Sequence, residues 1–348
     1  MGKNTSMEDL LTKISESVLS TMIEDQADEI AQKAKEKADA LLTNEYGFKP
    51  EVHRIQTETK VKDIVAVTHE KFDTVLQVVS LNIPVYLTGK AGTGKNVICK
   101  QIAEALGLDF YFTNAVTQEY KLTGFIDANG NYQETQFYKA FTQGGLFFLD
   151  EMDASIPEVL IILNAAIANK YFDFPIGKVD AHPDFRVVAA GNTLGTGADE
   201  EYTGRYQLDK ASLDRFALVY IDYSPKIEMN MANGDRELVE FCHEFRKATE
   251  DASINCLFSY RTIDRIAKLA EVMPDRLSEV IDMSLLKGMP MDDLKIILGG
   301  LKNTTNRYSK AMYKWYTDKT GEKISKKNKE STPSESAKGD KPIFSFNF

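Results

Sequence analysis

The sequence predicts an α/β fold: a parallel sheet with helices on both faces, followed by a small helical domain. Three observations predict it. Between Val61 and Tyr223 short apolar runs alternate with helical periods, the pattern of strands that return through crossover helices. A glycine-rich loop joins one of those strands to a helix. Beyond Pro225 the strand pattern stops and only helical periods continue.

Taken in order, Glu8 to Leu42 places Leu11, Ile14, Val18 and Met22, then Ile23, Ala27, Ile30, Ala34, Ala38 and Leu41, at helical spacing among charges. This predicts a long amphipathic helix. Its many alanines make a weak zipper seam, so packing on its own domain is favoured over a coiled coil or partner docking. Thr43 to Lys60 is polar and mixed, with Gly47 and Pro50, and reads as a linker, which makes 1–60 an N-terminal segment. The core, 61–224, carries predicted strands at Val85 to Leu87, Phe110 to Thr113, Gly145 to Leu149, Phe185 to Ala190 and Val219 to Tyr223. A helix over Val97 to Leu106 follows the glycine loop directly. The helical domain, 225–317, has periods at Glu237 to Thr249, Arg261 to Val272, Arg276 to Leu286 and Met291 to Leu301. The tail, 318–348, is rich in Lys, Ser, Glu and Gly and cannot bury enough apolar surface to order itself. It ends in Ile343, Phe344, Phe346 and Phe348, for which a docking motif is the less favoured reading.

Composition narrows the function classes. A chain of 348 residues, 43% hydrophobic and 27% charged, is that of an ordinary globular protein. A formal net charge of -10 argues against a protein that coats nucleic-acid phosphates, although a local basic groove stays open. No apolar run approaches the roughly 20 residues that span a bilayer, and the start lacks the apolar core of a secretory signal. A cytoplasmic protein without membrane contact is expected. Cys99, Cys242 and Cys256 are odd in number and widely spaced, and His53, His69, His182 and His243 are scattered, so neither disulfides nor a structural metal is expected.

The chemistry concentrates in two stretches. Gly89, Lys90, Ala91, Gly92, Thr93, Gly94, Lys95 and Asn96 sit between a strand and a helix. Glycines let backbone N–H groups wrap phosphates, the helix N-terminus adds its dipole, and Lys95 reaches the outer phosphates. A nucleotide, ATP, is the expected ligand. The position after the lysine usually carries a hydroxyl for Mg2+. Here it is Asn96, whose amide oxygen is a hard donor set further from the backbone. The second stretch, Gly144 to Glu151, is an apolar strand ending in two acids. Asp150 is placed to hold the Mg2+ shell and Glu151 to orient and deprotonate the attacking water.

With both stretches in this order, the segment from Val61 to Thr317 resembles the AAA+ ATPases, specifically the MoxR, NorQ/CbbQ and cobaltochelatase CobS group, with dynein-like modules more distant. The resemblance implies a P-loop AAA+ core and a helical lid. It also implies roles: Asn192, ending Ala189-Ala190-Gly191-Asn192, matches the sensor-one residue, and Arg215, in Leu213-Asp214-Arg215-Phe216, matches the arginine finger offered to a neighbouring subunit. Arg261, in Ser259-Tyr260-Arg261, matches sensor two, and Arg205 is a second interface candidate. Gly124 to Tyr132, with an Asn-Gly turn, and Tyr171 to His182 are expected to be hairpins. Phe125 and Tyr132 are candidate substrate contacts on the first.

The resemblance implies an ATP-hydrolysing ring, a hexamer, that remodels a protein partner, one bearing a von Willebrand A domain in much of the group. Two other readings stay open: a DNA-handling motor, weakened by the acidic charge, and a slow nucleotide-switched scaffold, motivated by Asn96.

Overall fold

The computed structural model describes the backbone of residues 51–56, 61–198 and 202–324, and side chains over 67–198 and 202–324. The expected N-terminal helix, and the expected aromatic tip of the tail, lie outside the described residues. The strands, in chain order, are β1 (Glu51–Gln56), β2 (Val61–Ala66), β3 (Val85–Thr88), β4 (Phe110–Thr113), β5 (Phe125–Ile126), β6 (Tyr132–Gln133), β7 (Gly145–Leu149), β8 (Tyr171–Phe174), β9 (Gly177–Asp180), β10 (Phe185–Gly191) and β11 (Ala217–Tyr220).

Five of these form one sheet in the order β11-β3-β10-β7-β4, every pairing parallel. This is the α/β P-loop AAA+ architecture. The central β3 and β7 are buried at every residue, which is why they read as unbroken apolar runs rather than alternating ones. Successive side chains serve opposite faces. Val85 and Leu87 pack with the helices Phe72–Ser80 and Lys95–Leu106 through Phe72, Val75, Ile98 and Ile102. Tyr86, between them, packs on the other face with the helices Gln136–Gln143 and Pro157–Asn169. That second layer is aromatic: Phe137, Phe141, Phe174 and Phe185 meet at tilted and edge-on angles, a geometry that adds to plain area burial.

The last strand starts two residues earlier than its apolar pattern suggests, at Ala217 rather than Val219. As the sheet edge it exposes Leu218 and Tyr220, so no buried run marks its start. Ile221 still donates its N–H to Thr88 O at 2.7 Å before the chain leaves the sheet. The linker reading of Thr43 to Lys60 needs a larger correction. Glu51–Gln56 is a strand, paired antiparallel with Val61–Ala66 so that Glu51 faces Ala66. Val52, Ile55, Val61, Ile64 and Val65 supply the β-branched content that suits a strand, and Gly47 and Pro50 precede it rather than break it.

Both expected hairpins are present. β5 and β6 pair across the Asn129-Gly130 turn, where Gly130 takes a φ of 81° that a side chain disfavours. β8 and β9 pair in register, Tyr171 with Asp180.

After Pro225 the described structure is helical: Pro225–Met231, Arg236–Asp251, Tyr260–Val272, Leu277–Ile281, Met291–Gly300 and Arg307–Thr320. They enclose Phe241, Phe245, Phe258 and Tyr308. The helix expected over Arg276 to Leu286 is broken into a 3-10 turn at Pro274–Arg276, one α turn and a π turn at Asp282–Leu286. Wider turns of this kind shift which side chains face inward, and here Ser284, Leu285 and Leu286 are all buried. Arg307–Thr320 carries regular structure past Asp318, where the tail's composition begins. No described helix is long and apolar enough to cross a membrane.

Candidate active site

The glycine loop leaves the end of β3 and enters the helix Lys95–Leu106. Gly89 has a φ of 145°, and a Cβ there would sit 2.0 Å from Ile221 O, so the approach of β11 requires glycine. Gly92 and Gly94 also hold positive φ, and a Cβ on Gly92 would meet Ser259 of the helical region at 2.5 Å. Thr93 is buried and closes the turn by donating its hydroxyl to Lys90 O at 3.0 Å. Gly94 ends the loop in left-handed geometry without a side-chain cap on the helix. The first N–H groups of that helix are therefore available to an anion.

A cavity of about 340 Å3 opens at this helix start. It is lined by the loop from Ala91 to Asn96, by Asp150, Glu151 and Asn192 from the ends of β7 and β10, and by Met231, Tyr260, Arg261 and Asp264 from the helical region. Of the residues singled out in the sequence, Gly92, Lys95, Asn96, Asp150, Glu151, Asn192 and Arg261 thus converge. Gly89 and Lys90 are not among the lining residues, and their carbonyls accept from Lys95. Arg215 is not among the lining residues: it is exposed in the turn before β11 and donates to Ala211 O of its own chain.

Lys95 is buried, and its ammonium donates to Gly89 O at 2.6 Å, Lys90 O at 3.0 Å and the Asn192 Oδ1 at 3.1 Å. Burial pushes its pKa down to about 8, against the pull of Asp150 and Asp153. Burial also raises the Asp150 carboxyl, opposed by the Glu151 N–H that donates to it at 3.0 Å. Glu151 has a φ of 53°, a left-handed conformation rare for a residue with a side chain. Strain of this kind recurs at functional positions.

Sequence reasoning missed Asp153. This fully buried carboxylate accepts from the N–H of Asn192 and of Thr193, each at 2.9 Å, and from the Thr193 hydroxyl at 3.0 Å. It thereby fixes the loop that presents Asn192. The close packing has a price at Gly191, where a Cβ would lie 2.0 Å from the Tyr86 hydroxyl. A third acid shortly after Asp150 and Glu151 was the available signal, but an acid on a short 3-10 turn reads as solvated. Arg205, the second interface candidate, also makes contacts within its own chain. Its guanidinium pairs with Asp153 at 3.3 Å and Glu151 at 3.4 Å in the same chain. Tyr202 and Tyr223 were also missed: the Ala91 N–H donates to the Tyr202 hydroxyl at 3.0 Å, and the Tyr223 hydroxyl donates to Ala91 O at 3.0 Å. Tyr132, a candidate substrate contact, packs instead: its hydroxyl donates to Thr123 O at 2.6 Å and its ring abuts Tyr138. Phe125 is exposed.

Residues 84–216 match the family model of the AAA domain, dynein-related subfamily. The sheet core is thus similar to an AAA domain. Relatives include an uncharacterized protein of Staphylococcus saprophyticus, 26% identical over 227 residues, covering 58% of this chain and 84% of that one. Another, from Staphylococcus aureus strain USA300, is 25% identical over 221 residues, covering 56% and 80%. Among solved structures, NtrX from Brucella abortus aligns with a TM-score of 0.40 at 17% identity, covering 81% of this chain and 58% of that chain. NtrX in complex with ATP aligns at 0.37 and 16% identity, covering 71% and 56%. The matched segment begins just before β3 and ends just before β11. It contains the glycine loop, Asp150, Glu151, Asn192 and Arg215.

Proposed function

We propose that the AAA+ domain binds and hydrolyses ATP, and that the protein works as a hexameric ring of the MoxR, NorQ/CbbQ and CobS group that remodels a protein partner. The observation that carries the hydrolytic part is the convergence of Lys95, Asp150, Glu151, Asn192 and Arg261 on one cavity. The loop amides and Lys95 would hold the β- and γ-phosphates, and Arg261 would reach them from the helical side. Asp150 and Asn96 are the oxygen donors that fit Mg2+, which when bound neutralises phosphate charge. Glu151 takes the proton of a water whose oxygen attacks the γ-phosphorus. The bond from phosphorus to the bridging oxygen breaks, releasing ADP and inorganic phosphate, and Asn192 orients the water. Arg215, exposed outside the cavity, suits a site completed by the next subunit, which supports the ring. A partner with a von Willebrand A domain and a cytoplasmic location belong to the same reading. The acidic chain gives a DNA substrate no comparable support.

Phosphate release tests the core of this. Glu151→Gln should bind ATP like the wild type yet hydrolyse it roughly 10²- to 10⁴-fold more slowly, since the amide cannot accept the proton. Wild-type turnover in that variant would place the base elsewhere. Asn96→Thr should retain Mg2+-dependent hydrolysis, because a hydroxyl supplies the same hard donor.

A further inference from the structure

We propose that Arg205 is a positioning residue acting within its own subunit, a catch that holds the Glu151 carboxylate until hydrolysis begins. The inference rests on the hydrolytic reading above, and deepens it by naming what restrains the base. Arg205 belongs to residues 202–206, which touch both halves of the site. At one end Tyr202 receives the Ala91 N–H of the phosphate loop. At the other, the Tyr206 N–H donates to Asp153 O at 2.7 Å. Between them the guanidinium is anchored from behind by Asp153, the carboxylate that also fixes the Asn192 loop. Its second arm reaches Glu151.

The two ends of this bridge differ. Asp153 is fully buried and Arg205 is 12% exposed, whereas the Glu151 side chain is 41% exposed. The Asp153 end is fixed by three further hydrogen bonds. The Glu151 end is a single contact of 3.4 Å at the cavity wall, weak enough to open in solvent. While the contact lasts, the Glu151 carboxylate is turned to Arg205. Opening frees it. The remaining guanidinium nitrogen, Nε, is buried without a hydrogen-bond partner among the described residues, so Arg205 is held by these two carboxylates rather than by a wider network.

The test uses the full chain and phosphate release at saturating and limiting Mg2+-ATP. Arg205→Lys keeps a positive charge for Asp153 but cannot bridge both acids, and Arg205→Gln removes the charge. Both should raise kcat about threefold to tenfold with KM within about twofold. In the Glu151→Gln background the same substitutions should change nothing, because the restrained group is gone. A merely structural role would not produce a gain confined to kcat and dependent on Glu151. A folded Arg205→Lys protein that hydrolyses at or below the wild-type rate overturns the proposal, and abolition would make the arginine a participant in the reaction. Should Arg205→Gln fail to fold, Arg205→Lys alone decides. Wild-type protein without Glu151-dependent phosphate release would instead remove the hydrolytic reading beneath it.

Discussion

The Lys95 ammonium lies 3.1 Å from the Asn192 side-chain oxygen, so a direct hydrogen bond joins the phosphate loop to the end of β10. None of the three hydrogen-bond acceptors of Lys95 is an acid: they are two carbonyls and an amide. A triphosphate replaces these neutral acceptors with concentrated negative charge.

Lys95→Ala should therefore abolish tight ATP binding in a folded protein, measured by calorimetry. The wild type should also show a pH signature. With the free lysine depressed to about 8 by burial, and raised again by phosphate, binding takes up a proton above pH 8. Affinity should fall as pH rises through that value, by at most about tenfold per unit. Below about pH 7 this group contributes no slope. Calorimetry at pH 8.5 in buffers of different ionisation heat should reveal the uptake. Equal heats would show that Lys95 is already fully charged in the free protein.

Asp153→Asn tests the buried carboxylate that no motif marks. Its Oδ2 receives three donors, and its Oδ1 faces Arg205. An amide must place an NH2 against one of these donor sets. A loss on the order of 3 kcal/mol in unfolding free energy is expected, with hydrolysis reduced further than stability explains because Asn192 is displaced. A variant with wild-type melting and turnover would show that the loop holds itself.

Glu228 carries the pH dependence of the helical side. Burial raises its carboxyl, but His243 and Arg246 outweigh this and hold it below the usual glutamate range. A depressed folded pKa contributes stability that is present above the unfolded value, about 4.3, and is lost as pH falls through the folded one. Acid unfolding of the wild type should therefore steepen below about pH 4.5. Glu228→Gln should cost about 3 kcal/mol at neutral pH and flatten that limb. Parallel acid limbs in chemical denaturation would assign the dependence to other carboxylates.

What could be read from sequence followed burial. β7 begins and ends where its apolar run does, because a parallel strand covered on both faces must be apolar throughout. The edge strand β11 and the hairpin of β1 and β2 escaped that rule, since edge and two-stranded elements alternate or mix their polarity. The site divides in the same way. Lys95, Asp150 and Glu151 are legible because phosphate chemistry imposes residue types at short spacing. Asp153, Arg205, Tyr202 and Tyr223 act through partners up to 132 residues away, and nothing in local spacing records such a contact. The inward turn of Arg205 depends on Asp153 being buried, which only the fold decides.

The last prediction concerns Arg215, on which the ring rests. The loop amides, Lys95 and a cation leave part of the charge of the transferring phosphoryl group uncovered, where an arginine from outside is worth roughly three to five decades in rate. Within its own chain Arg215 is exposed and bonds only to Ala211 O among its described contacts, so it is free to serve a neighbour. Arg215→Ala should bind ATP normally and lose hydrolysis. Mixed with Glu151→Gln subunits, it should regain activity. At an interface where the Arg215→Ala subunit supplies the base and the Glu151→Gln subunit supplies the arginine, the site is whole, about a quarter of interfaces for random assembly. Arg215→Ala protein that hydrolyses like the wild type would remove the finger. Demonstrably mixed rings that stay inactive would mean that Arg215 serves its own subunit or that every site must fire together, and titrating Arg215→Ala into wild-type subunits separates these. Independent sites lose activity in proportion to the Arg215→Ala fraction, whereas an all-site requirement loses it far more steeply.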